Sequence, residues 1–235
     1  MRKTLIYLLP FLFPLTSMAW NSELQWNLCE MSLREAKNKL DGTEQSEKTR
    51  KTYFYDTENL DLYYNGVVIR ERQTKKKIKR TVKVDVDSKK RIPDRWKNVT
   101  GFKCEFDVHS TQSSLTCSLE IEIERDSEKD KPLLSNKQIG FLKEFSTAIP
   151  LLPKVKRLGV MQNKAYDIFV RNRMVSLEAN LIEKDLFMEI SFRSTEKNVE
   201  KNREYFQNFL DKKGFKLCRN QGSTSLEKLK LLRPR

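Results

Sequence analysis

The sequence has 235 residues, 38% hydrophobic and 33% charged, with 46 Lys and Arg against 32 Asp and Glu for a net charge of +14. At that length, 10% aromatic residues bury enough surface to offset chain entropy, which excludes a disordered chain. One histidine excludes a multi-histidine metal site, seven scattered glycines form neither GxGxxG nor GxxxxGK, and four cysteines contain no CxxC, so Rossmann, Walker, zinc-ribbon and thioredoxin-type chemistries fall away.

Arg2 and Lys3 precede an apolar run from Leu5 to Leu15 that Pro10 and Pro14 interrupt, and Ser17-Met18-Ala19 follows. Residues 1–19 read as a secretory signal peptide with a small-x-small cleavage site, shorter than a spanning helix. Residues 20–235 then form a single exported domain, periplasmic or secreted, with no later run long enough to cross a bilayer. Ser22 to Asn27 alternates polar residues with Leu24, Trp26 and Leu28, a half-buried strand. Met31 to Leu40 carries helical spacing. Strands are expected over Lys51 to Tyr55, Gly66 to Gln73, Ile78 to Val86, Phe102 to His109 and Leu115 to Glu124, with Asn65-Gly66 as a turn and Lys75 to Lys77 as a solvated hairpin tip. Ser135 caps a helix that runs to Ile149 and stops at Pro150. Two strands, Met174 to Ile182 and Leu186 to Arg193, precede a last helix from Lys197 to Lys213 that Gly214 ends. The sum is one α+β domain on an antiparallel sheet.

In an oxidising compartment Cys29, Cys104, Cys117 and Cys218 pair, with three connectivities open. Cys104 shares a strand face with Phe102, Phe106 and Val108, and Cys117 shares one with Leu115, Leu119 and Ile121. The polar stretch Ser110 to Ser114 has turn composition, so both cysteines lie on the apolar face of one hairpin. Cys104–Cys117 is the preferred bond, leaving Cys29–Cys218 to tie the two ends.

The opposite strand faces are heavily charged. Arg70 and Arg72 point one way, as do Lys79, Thr81 and Lys83, Glu105 and Asp107, Glu120, Glu122 and Glu124, and Glu189, Ser191 and Arg193. On an open sheet this is a solvated face. Glu105 and Asp107 opposite Glu120 and Glu122 would repel unless cations sit among them. A sheet closed on this face gives a tunnel suited to an oligophosphate with a bound divalent cation.

The run Tyr53-Phe54-Tyr55-Asp56-Thr57-Glu58-Asn59-Leu60-Asp61-Leu62-Tyr63, followed by Gly66, Val68-Ile69-Arg70-Glu71-Arg72 and Thr81-Val82-Lys83, resembles CYTH domains, the triphosphate tunnel metalloenzymes. The resemblance is specific over about thirty residues and looser at Leu177-Glu178 and Met188-Glu189-Ile190-Ser191. It implies an eight-stranded antiparallel β-barrel with flanking helices that acts on triphosphate-containing substrates with Mg²⁺ or Mn²⁺. Carried over residue by residue, Arg70, Arg72 and Lys83 would grip phosphates. Glu23 and Glu189 would sit at the metal, with Glu122 and Glu178 as further candidates.

The sequence departs from that pattern where a glutamate-x-glutamate-x-lysine signature is expected, since Glu23-Leu24-Gln25-Trp26-Asn27 stands there, and Ser191 replaces a second glutamate. Fewer anionic ligands weaken the metal site. Two readings stay open: a metal-dependent phosphohydrolase, and a non-catalytic exported module that binds an oligophosphate or another anionic partner. Export and the lack of a recognised motif disfavour nucleic acid, despite the basic run Lys75 to Arg80. His109 is expected to play no part in the site.

Overall fold

The structure, a computed structural model, describes residues 21–109, 113–125 and 132–233. The expected signal peptide, residues 1–19, lies outside them. Nine strands occur among the described residues: β1 (Asn21–Leu28), β2 (Thr43–Asp56), β3 (Val67–Gln73), β4 (Lys77–Asp85), β5 (Phe102–Val108), β6 (Ser113–Glu124), β7 (Lys156–Val170), β8 (Arg173–Ile182) and β9 (Asp185–Thr195). They close into a barrel in the order β1-β5-β6-β4-β3-β2-β7-β8-β9. This corrects the expectation of eight antiparallel strands. The added strand is β7, and β1 pairs with β5 in parallel. Parity requires such a pair, because strands that alternate up and down around a ring of nine cannot close without one parallel neighbour.

Helices α1 (Leu33–Leu40), α2 (Asp61–Tyr64), α3 (Asp94–Lys97), α4 (Asn136–Phe145), α5 (Val199–Lys212) and α6 (Ser225–Leu232) surround the barrel. Ser32 caps α1 by accepting from the Glu35 amide, and Ser135 with Gln138 forms a capping box on α4. Gly214, at φ +67°, ends α5 in the left-handed region that favours glycine. No helix of the described residues is long and apolar enough to cross a membrane.

The helices fix which way the barrel faces. Leu24, Trp26 and Leu28 of β1 pack with Leu177, Ile190 and Phe192 against α1 and α5, where the Trp26 ring lies 5.1 Å from that of Phe206. Val82, Val84 and Leu119 pack against Trp96 of α3 and Phe141 and Leu142 of α4. The apolar strand faces therefore point outward under helices, and the alternate, charged faces point into the barrel. Cys104 and Cys117 are direct cross-strand partners bonded on the outward face, Cα atoms 4.0 Å apart. Cys29 is bonded to Cys218.

The expected juxtaposition of four carboxylates is also corrected. Glu105 pairs with Thr116 and Asp107 with Ser114, while Glu120 and Glu122 face Thr81 and Lys79 of β4. The hairpin register separates the two acidic pairs along the strand, so the repulsion expected from direct opposition does not arise.

Candidate functional site: a charged tunnel

A cavity of about 1210 Å³ occupies the barrel, lined by inward side chains from all nine strands. One wall is cationic. Lys48 and Arg50 of β2 and Arg70 and Arg72 of β3 line it, and the register brings Arg72 opposite Thr52 and Arg70 opposite Phe54. Arg50 Nη2 reaches Glu178 Oε1 at 2.9 Å, but neither Arg70 nor Arg72 makes an ion pair among the described residues. Arg50 Nε, Arg70 Nε and Thr52 Oγ1 are buried polar atoms without a hydrogen-bond partner. Burial, then the neighbouring Arg50, lowers the Arg70 pKa. Burial, then Arg70 and Arg50, brings that of Arg72 down to about 9, still high enough to keep its charge at neutral pH.

The seam between β1 and β5 is acidic. Glu23, Glu105 and Asp107 each present a carboxylate oxygen within 4.8 Å of the others. Lys103 donates to Glu105 at 2.6 Å, Lys83 is paired with Asp107, and Thr116 Oγ1 donates to Asp107 Oδ2 at 3.1 Å. Asp107 Oδ1 is buried and left without a partner. Burial, then Glu105 and Asp107, raises the Glu23 pKa. Three hard oxygen donors in one place, one of them an unpartnered buried atom, fit a divalent cation such as Mg²⁺ or Mn²⁺.

The structure brings Glu23, Glu178, Glu189, Arg70, Arg72 and Lys83 to the cavity wall but distributes them. Glu178 serves the cationic wall, accepting from Arg50 and from Asn163 Nδ2 at 3.1 Å. Burial works against its charge, yet Arg50 and Arg72 hold its pKa below the usual range. Glu189 lies opposite Asn27, four register positions from Glu23, and burial pushes its pKa up to about 7. Glu122 is not part of the cavity lining; it is paired with Lys77 and lies 3.6 Å from Lys79. Lys83 lines the cavity with its ammonium engaged by Asp107. Gln25 lines the wall opposite Ser191, whose hydroxyl donates to Glu23 at 3.3 Å.

Several wall residues were not singled out from sequence, Arg50, Lys103 and Lys228 among them, and Glu105 and Asp107 were not grouped with Glu23. The Glu105-x-Asp107 alternation was visible, but the parallel contact with β1 was not. Arg50 lies in a stretch with no apolar residue to mark a strand. His109 also lines the cavity, and burial lowers its pKa. Asp56 and Thr57, part of the motif run, build the turn instead: the buried Asp56 carboxylate accepts from the amides of Thr57, Leu62 and Tyr63.

Helix α6 packs over part of one end of the barrel. Inward-facing Phe54, Val68 and Met161 meet Leu226, Leu229 and Leu232 of α6 in an apolar cluster. Ser223, Thr224, Ser225 and Lys228 line the cavity from that end.

No protein-family model and no curated protein matches the sequence. Among solved structures the chain is similar to a proposed adenylyl cyclase from Hippeastrum, described as having a dominant triphosphatase activity, at 16% identity and a TM-score of 0.59 over 91% of this chain and 96% of that one. It is also similar to a proposed adenylate cyclase from Bacillus halodurans, at 14% identity and a TM-score of 0.59 over 88% and 96%. The closed barrel, its charged interior and these likenesses together show that the chain has the CYTH-type, triphosphate-tunnel fold.

Proposed function

We propose that this protein is an exported binder of triphosphate or a similar short oligophosphate, held in the barrel with Mg²⁺ or Mn²⁺ on Glu23, Glu105 and Asp107. The supporting observation is that, among the described residues, the guanidiniums of Arg70 and Arg72 make no ion pair and lie beside unpartnered donors on Arg50 and Thr52. Cations and donors taken out of water are costly unless an anion meets them, and phosphate oxygens match the planar guanidinium fork. The two disulfides support the exported setting.

Arg70 and Arg72 orient the anion from β3, and Arg50 joins them by giving up part of its contact with Glu178. Lys83 and Lys103 are paired with Asp107 and Glu105 in the free protein. A divalent cation, when bound, offsets charge on the phosphoryl oxygens during transfer to water. Glu189, with a pKa of about 7, exists in both protonation states near neutral pH. A second reading, binding without turnover, is favoured by the neutral Gln25 and Ser191 beside Glu23.

Calorimetry with inorganic triphosphate, with and without Mn²⁺, and phosphate release on wild type and Gln25→Glu test both. Triphosphate binding by the wild type supports the reading, and its absence ends it. Tighter Mn²⁺ and faster release in Gln25→Glu favour the phosphohydrolase; weaker triphosphate binding with no release favours the binding module.

A further inference from the structure

The acidic seam leaves two buried atoms without partners, and they belong to neighbouring inward positions of one strand. Asp107 Oδ2 is held by Lys83 and by Thr116 Oγ1, while Asp107 Oδ1 makes no hydrogen bond among the described residues. Two residues on, just past the end of β5, His109 is 8% exposed and lines the same cavity, and its Nδ1 makes none either. Side chains two apart on a strand share a face with Cα atoms roughly 7 Å apart, so a carboxylate and an imidazole placed in this way can converge on one ion. The imidazole is not one of the three groups whose donor atoms lie within 4.8 Å of one another. It stands at the edge of that triad and adjoins it through Asp107, whose charge acts on the ring more strongly than those of Lys83 and Lys228.

A buried polar atom is costly without a partner. A hydrogen bond between Asp107 and His109 would satisfy both atoms, and the structure does not make it. A divalent cation meets both at once, taking an anionic oxygen from one residue and a ring nitrogen from the other. Oxygen ligands alone suit Mg²⁺, whereas an added imidazole shifts preference toward the later transition ions. We propose that His109 is a nitrogen ligand of the cation held at the β1–β5 seam, and that this site therefore takes Zn²⁺ or Co²⁺ in preference to Mg²⁺. The inference rests on the reading of Glu23, Glu105 and Asp107 as a cation site. Both cysteine pairs are disulfides, so no thiolate competes for such an ion. His109 is the single histidine of the sequence, so an imidazole signal has one source.

The test uses the oxidised protein with metal ions alone and no phosphate ligand. Pulsed electron paramagnetic resonance of the Mn²⁺-loaded wild type is expected to show imidazole nitrogen couplings, and His109→Ala to lack them. In calorimetric titrations His109→Ala should weaken Zn²⁺ and Co²⁺ by about ten- to a hundredfold, the range over which residues supporting a metal site act. It should leave Mg²⁺ affinity nearly unchanged, which also shows that the variant is folded. The wild-type spectrum needs no variant and decides the matter should His109→Ala fail to fold. Mn²⁺ bound by the wild type without nitrogen couplings overturns this inference and leaves the carboxylate triad standing. Equal losses for Zn²⁺ and Mg²⁺ in a folded His109→Ala overturn the selectivity. A wild type that binds none of these ions overturns the triad as a cation site, and this inference with it.

Discussion

On the β1–β5 side of the tunnel, Glu23, Glu105 and Asp107 crowd together with Lys83 and Lys103 already among them. On the β2–β3 side, Arg50, Arg70 and Arg72 crowd together with one carboxylate, Glu178, in ion-pair reach. Both clusters place like charges out of bulk water. The acidic seam is largely compensated from within the fold, whereas the cationic wall waits for a counter-charge from outside. The seam therefore contributes to the stability of the free protein, and on the proposed function the wall supplies the affinity for an anion.

The largest test of that contrast is Lys83→Met. Asp107 is buried, and removing its partner leaves an uncompensated carboxylate, so urea unfolding should show a loss of about 3 kcal/mol. A loss under about 0.5 kcal/mol would mean that the seam is not compensated as described. Next in size, Asp107→Asn should weaken Mn²⁺ binding by a factor of roughly ten to a hundred, since it removes one of three hard anionic ligands. Glu122→Gln, outside the cavity lining, should leave Mn²⁺ affinity unchanged.

The third prediction concerns pH. Glu189 has a folded pKa of about 7 against the usual 4.5. Between those values the folded state binds the extra proton, so the stability it contributes is complete below 4.5 and is lost as pH rises through 7. Glu189→Gln should match wild type at pH 4 and exceed it at pH 8 by about 1.5 kcal/mol, after allowance for screening by water in the cavity. The smallest effect closes the contrast: Arg70→Met should stabilise the ligand-free protein by about 1 kcal/mol, the opposite sign to Lys83→Met. Chemical denaturation at two pH values checks both.

Parity made the hairpin and its disulfide legible, because the outward face of β5 and β6 is apolar under α4 and marks Cys104 and Cys117 clearly. The same reasoning failed where neither face is apolar. The first half of β2, Thr43 to Arg50, faces the polar cavity on one side and solvent on the other, so its alternation carries no hydrophobic signal. In β7, Met161, Asn163, Ala165 and Asp167 share the inward parity, a mixed face that hides a fifteen-residue strand. Arg70 and Arg72 were readable because Val67 and Ile69 mark the outward face of β3. The grouping of Glu23 with Glu105 and Asp107 was not, since it depends on a parallel pairing between β1 and β5 that no local pattern encodes. The hydrogen bonds of Asn27 to Asn220, Gln221 and Gly222 were equally hidden, because these partners lie more than 190 residues away.

The most direct measurement is thermal melting of the wild type and the Arg70→Met/Arg72→Met double variant with and without inorganic triphosphate. A ligand that binds only the folded state adds about 2.7 kcal/mol at a hundredfold excess over Kd. The wild type should therefore melt several degrees higher with triphosphate, and the double variant should show no shift while melting above the wild type in its absence. A wild type that does not respond at millimolar triphosphate, or a shift that survives in the double variant, would contradict the account of the cationic wall.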